Sequence, residues 1–149
     1  DIHNAEQLYH VLRTQVDIVL PEGAAVLNAA DPLVARMADL CDGEVIFYGL
    51  TPDLPVIQAH RARGGQALFI REHRIMLATG AVEGPFLELP VPVSGKDETD
   101  AGHAACLLAA VGAAVALDIP VDKIRVGIET FEQERKRPLR SRPRRVANQ

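Results

Sequence analysis

Apolar positions along the chain alternate between helical and strand spacing. Leu8, Val11, Leu12 and Val16 recur at intervals of three and four in "DIHNAEQLYHVLRTQVDIVL". That is one face of a helix over residues 5 to 17, with Asn4 placed to cap its start. "EGAAVLNAAD" then supplies a turn and a short apolar strand. "DPLVARMADLC" supplies a helix with Asp31 as N-cap and Pro32 at the first helical position, where no N–H is needed. "GEVIFYGL" is a second strand of the buried type, bounded by Gly43 and Gly49. A helix between two such strands is what a right-handed crossover needs, so Val26 and Ile46 are expected in parallel neighbours.

The pattern then changes. "QALFIREHRIMLATG" holds two short apolar runs around the polar "REHR", and "PFLELPVPV" alternates up to its prolines. These predict an antiparallel hairpin and an edge strand, where proline is tolerated. Two helices follow, "DETDAGHAACLLAAVGAAVALDI" and "PVDKIRVGIETFEQE". The second has Pro120 just inside its start and Ile124, Ile128 and Phe131 on one face, while the alanines and Gly112 of the first allow a close approach to a sheet or helix. The expected fold is α/β, with parallel strands and crossover helices plus a small antiparallel β appendage.

At 149 residues and 48% apolar composition, the chain fits one domain able to bury a core. Its longest apolar run, Ala104 to Leu117, has 14 residues, against about 20 for a membrane span. It reads as a buried helix, and no membrane association is expected. The start shows no basic segment leading into an apolar one, hence no secretory signal. A chain opening without Met, directly on helical spacing, is expected to be an internal piece of a longer protein. Cys41 and Cys106 lack CxxC spacing, which disfavours a disulfide framework or zinc site, suits a reducing cytoplasm, and assigns both to the core. Charge is split: residues 135–149 carry +7, and the remainder carries 9 − 20 = −11, giving the net of −4. An Arg/Pro run without aromatics predicts a disordered tail whose nucleic-acid binding would be nonspecific.

Candidate chemistry is sparse. A phosphate loop needs GxxxxGK followed by Ser or Thr. Around Gly95-Lys96, Asp97 stands at the hydroxyl position and Pro90 at the first glycine, so the segment reads as a solvated loop before a helix. Asn28 and Asp31 end the first strand, where open α/β sheets place ligands. The same two residues suit a turn and a helix cap, and spacing leaves both readings open. Of the histidines, His3, His10, His60, His73 and His103, none pairs with another at i, i+4, and no metal site is expected. His73 falls in the hairpin loop and reads as solvated. His103, near the start of the long helix, is the histidine placed to meet a ligand, while Asp97, Glu98 and Asp100 stabilise that helix start.

The order "EQLYHVLRTQVDIVLPEGAAVLNAADPLVARMADLCDGEVIFYGL" closely resembles the Mur-ligase-like half of the cyanophycin synthetase family, with its "VLRTQ.D.VLP.G.AVLNA.DP.V..MA.LCDGEVIF" string. The likeness continues more loosely through the last two helices to Phe131. It implies that residues 1–134 are the later part of a Mur-ligase-like central ATPase domain, with residues 135–149 a basic tail outside the pattern. It implies an ATP-dependent amide-bond ligase that builds an aspartate backbone and attaches arginine through acyl phosphates, using ATP and Mg2+. It also implies aspartate, arginine and a polymer primer as partners of the full-length enzyme, and a homo-oligomer. The family's phosphate-binding loop lies upstream of this stretch, so the isolated chain is expected to be inactive, with no catalytic residue of its own.

By this resemblance Asn28 and Asp31 match the "NADDP"-like turn on the nucleotide side, with Ala30 where the pattern has its first Asp. The long helix matches the family's "G.HN..N.LAA.A" element. It keeps Gly102 and His103 and has Ala104 and Cys106 rather than asparagines. A reading from another class is a noncatalytic α/β module that binds a partner through its β appendage or basic tail.

Overall fold

The computed structural model describes residues 4–89 and 98–136. Among these, the strands β1 (Ala24–Asn28), β2 (Glu44–Tyr48), β3 (Gln66–Arg71), β4 (Arg74–Thr79) and β5 (Val82–Glu88) lie in chain order in one sheet. β1, β2 and β3 are parallel, with Val26 opposite Ile46 as the crossover pattern predicts. β4 and β5 return antiparallel. The expected appendage is therefore an extension of the main sheet, because β3 is both the third parallel strand and the first arm of the hairpin. The hairpin turn is only Glu72–His73, at φ +48 and +63. These are left-handed conformations that two-residue hairpins require.

Successive side chains of a strand point to opposite faces, and both faces are covered. On one face Ala25, Leu27, Phe47, Ala67, Phe69 and Ala78 pack with Tyr9 and Val16 of α1 (Ala5–Asp17). Met37 and Ile57 join them. They come from a 3-10 turn (Met37–Leu40) that continues α2 (Pro32–Arg36), and from α3 (Pro55–Ala62). On the other face Ile46, Leu68, Ile75 and Leu87 meet Leu108 and Val111 of α4 (Glu98–Ala116) and Ile124 of α5 (Val121–Arg135). α3 is an element beyond those predicted, with Pro55 in its first turn.

β5 runs parallel to β1–β3 and so ends at their carboxyl edge, and Cys106 of α4 lies near Tyr48 at that same edge. Gly112 then lies directly on the sheet. A Cβ at that position would sit 2.6 Å from Cγ1 of Val26 and 3.4 Å from Cδ1 of Leu68, so glycine is what lets the helix approach so closely. The first turns of α4, with His103, project toward the carboxyl edge.

Three sequence expectations change. The stripe read from α1 turns outward: Leu8, Val11 and Leu12 are exposed, and Tyr9 with Val16 anchors the helix, with the Arg36 guanidinium 4.6 Å above the Tyr9 ring. Cys41 is half-buried against the core and Cys106 is exposed, so only Cys41 keeps part of the expected core placement. α4 buries only the face of Ala104, Leu107, Leu108, Val111 and Gly112. By length and composition this helix is also apolar enough to cross a membrane.

Candidate functional site

The turn after β1 is built by its own side chains. Oδ1 of Asn28 accepts the Ala30 N–H at 2.9 Å, closing an Asx turn. Oδ1 of Asp31 accepts the N–H groups of Leu33 at 2.9 Å and Val34 at 3.2 Å, with Pro32 in the first turn. A helix start leaves its first N–H groups without intrahelical partners, and this carboxylate satisfies two of them. The capping reading of Asp31 is thus realised in the geometry.

His103 sits in a different kind of environment. Its Nε2 donates to Oε1 of Glu132 at 2.5 Å, across the α4–α5 interface. Oε2 of Glu132 accepts from Nε of Arg135 at 3.2 Å and from Nη2 at 3.0 Å. Glu132 is 3% exposed, and a buried carboxylate is tolerated only when paired and hydrogen-bonded. Burial pushes its pKa up, but the hydrogen bonds and charges of Arg135 and His103 outweigh burial and hold it below the ordinary carboxylate value. The His103 ring stacks on Phe131, centroids 6.2 Å apart at 16°. Beyond this cluster an apolar groove of about 370 Å³ runs between α4 and α5, lined by Cys106, Val111, Ile119, Ile124 and Phe131 among others.

Tyr48 ends β2 near the same helix. Burial raises the pKa of its phenol, and Cys106 adds to the rise. Asn28, Tyr48 and the start of α4 thus share the carboxyl edge of the parallel strands. No hydrogen bond, ion pair or ring contact among the described residues joins His103 to Asn28 or Asp31. His60 instead holds the carbonyl of Val45 at 2.9 Å, and His73 is exposed. Gly95, Lys96, His3 and the basic tail beyond Lys136 lie outside the described residues.

These groups match a nucleotide only in part. Asn28 and Tyr48 end β1 and β2 at the edge where open α/β sheets place ligands, with Oδ1 of Asn28 already committed to its own turn. Among the described residues no cluster of His, Cys, Asp and Glu is suited to a metal ion. The described carboxyl edge also carries no glycine-rich phosphate loop of the kind that grips a triphosphate. The fit therefore stops short of the phosphates and Mg2+.

The sequence pattern gives no role to Glu132 or Tyr48, and Arg135, counted there as the first residue of the basic tail, is instead the last residue of α5. Glu132 carried a signal: with Ile124 and Ile128 it completes an i, i+4, i+8 series that faces inward. Phe131, which continues the same stripe at i+7, is instead 54% exposed.

No protein-family model matches the chain. It is similar to curated cyanophycin synthetases: 37% identical over 135 residues to that of Synechocystis sp., 32% over 139 residues to that of Crocosphaera subtropica, and 31% over 132 residues to that of Geminocystis herdmanii. These matches cover 88%, 89% and 88% of the chain. The chain spans about 15% of the length of each of these relatives. The resemblance read in the sequence is borne out, and the α/β sheet is consistent with part of an α/β ligase domain.

Proposed function

We propose that this chain is a segment of an ATP-dependent ligase that forms carbon–nitrogen bonds, of the cyanophycin synthetase kind. The observation that carries the reading is the 37% identity spread over 88% of the chain. It runs through the strands that form the carboxyl edge as well as the helices that cover them. In the full-length protein ATP and Mg2+ would convert a carboxylate, a poor electrophile, to an acyl phosphate that an amino acid amine attacks. Aspartate, arginine and the growing polymer are the proposed substrates, a homo-oligomer the proposed assembly, and the cytoplasm the proposed location. Residues 1–134 would be the later part of the central ATPase domain. This segment would contribute the sheet edge with Asn28 and Asp31, and the α4 start with His103. The grip on the phosphates would come from another part of the polypeptide.

The test is the reading frame around the coding sequence. A glycine-rich loop ending in GK[ST] and an ATP-grasp region are expected upstream of Asp1. A frame lacking both overturns the ligase reading and favours a noncatalytic α/β module. The purified chain is expected to hydrolyse no ATP, and magnesium-dependent turnover by it would contradict the assignment of the phosphate grip to other residues.

A further inference from the structure

We propose that Glu132 is a positioning residue for His103, fixing the imidazole at the start of α4 with its Nε2 turned into the protein and its other ring nitrogen left for a ligand at the sheet edge. The inference rests on the nucleotide-edge reading above for the identity of the ligand, and on geometry for the positioning itself.

Three contacts hold the ring. Nε2 donates to Oε1 of Glu132 at 2.5 Å, and a carboxylate can only accept, so the proton on that nitrogen is specified. The Phe131 ring lies alongside at 16°. Arg135 grips the other oxygen of Glu132 through two nitrogens, so the carboxylate cannot rotate without losing those bonds. This is the logic by which a partner carboxylate selects one tautomer and one orientation of a histidine. Nothing in a helix–helix contact requires a buried carboxylate, and an apolar side chain of similar volume would pack there without a desolvation cost. The His103 side chain is still 22% exposed, so the oriented ring remains accessible.

The experiment compares the wild-type chain with Glu132→Leu, which fills the volume without an acceptor, and Glu132→Gln, which keeps one. Nitrogen-15 NMR of the imidazole reads which ring nitrogen carries the proton, and a titration with Mg-ADP reads ligand affinity. The wild type is expected to show a single slowly exchanging proton on Nε2. Glu132→Leu should lose that signal and bind Mg-ADP about tenfold more weakly, the scale of one hydrogen bond to a charged group. Glu132→Gln should restore the signal and stay within about twofold of wild type, since the amide oxygen still accepts. An unchanged Nε2 proton in Glu132→Leu overturns the positioning role, as does unchanged affinity of that variant where the wild type binds. If the wild type binds no Mg-ADP, the segment needs the phosphate grip of another part of the polypeptide to hold the nucleotide, and the ring proton alone then decides the positioning role. Should Glu132→Leu not fold, Arg135→Gln takes its place, with faster exchange of the Nε2 proton expected and unchanged exchange overturning the proposal.

Discussion

The two polar regions near the carboxyl edge are held in opposite ways. In the turn after β1, the side chains of Asn28 and Asp31 accept, among the described residues, only from backbone N–H groups two and three residues ahead, in exposed contacts. At the α4–α5 interface, His103 pairs with a residue 29 positions away, and that partner is buried. The side-chain contacts of the first region are all local, although its Ala29 N–H also donates to the Tyr48 carbonyl of β2. The second exists only when α4 and α5 are both docked on the sheet. A polar residue near a sheet edge can thus be committed locally or by the fold, and only the second kind depends on the core.

The largest effect should come from removing what docks α4. Leu108 is fully buried against Ile46 and Leu68. Leu108→Ala is expected to lose about 2–5 kcal/mol, the sum of lost burial and the cavity left behind. Urea unfolding followed by far-UV circular dichroism measures the loss. In the same variant the His103–Glu132 bond should loosen in NMR while the backbone amides of Leu33 and Val34, capped by Asp31, stay protected. Equal loss at both places would dissolve the contrast between local and fold-dependent contacts.

That contrast also explains what was legible in the sequence. Asn4, Asp31 and Pro32 announce helix starts through residues within four positions, and the structure places α1 and α2 there. Val26 and Ile46 follow from a crossover rule that is nearly invariant in hand. α3 was harder to see because its eight residues, "PVIQAHRA", contain a single fully buried apolar residue, Ile57. The outward stripe of α1 could not be foreseen, because periodicity identifies a helix but not which of two apolar faces finds a partner. Tyr9 wins the core side with Val16, where its ring also meets Arg36. For the candidate site the legible part was the caps. The environment of His103 depends on Glu132, which sits in the polar run "ETFEQERKR", where only the i+8 position relative to Ile124 distinguishes it from its solvated neighbours.

An intermediate effect should come from the long-range pair itself. His103→Ala leaves Glu132 buried with Arg135 alone, and is expected to cost about 1–3 kcal/mol. The pH dependence has a definite sign. The folded-state pKa of Glu132 lies below its ordinary value, so its contribution is present above the ordinary glutamate range, about 4.3, and is lost as pH falls through the lower folded value. The stability gap between wild type and His103→Ala should therefore shrink as unfolding is measured from pH 6 downward past about 4. A gap that stays constant across that range would mean that the pair contributes packing rather than charge.

The smallest effect belongs to the local region. Asp31→Ala removes the acceptor for Leu33 and Val34, and should lose about 0.5–2 kcal/mol. Asp31→Asn should recover most of it, since an asparagine oxygen caps as well as a carboxylate. Unchanged stability in Asp31→Ala would remove the capping role. The sharper measurement is the double variant with His103→Ala. The two sites share no hydrogen-bond partner among the described residues, and effects at independent sites add to within about 0.3–0.5 kcal/mol. Additivity would mean that the turn and the α4–α5 pair are built separately. A larger coupling in the free protein would mean that docking of α4 already reaches the turn, and the division into a local and a fold-dependent region would have to be abandoned.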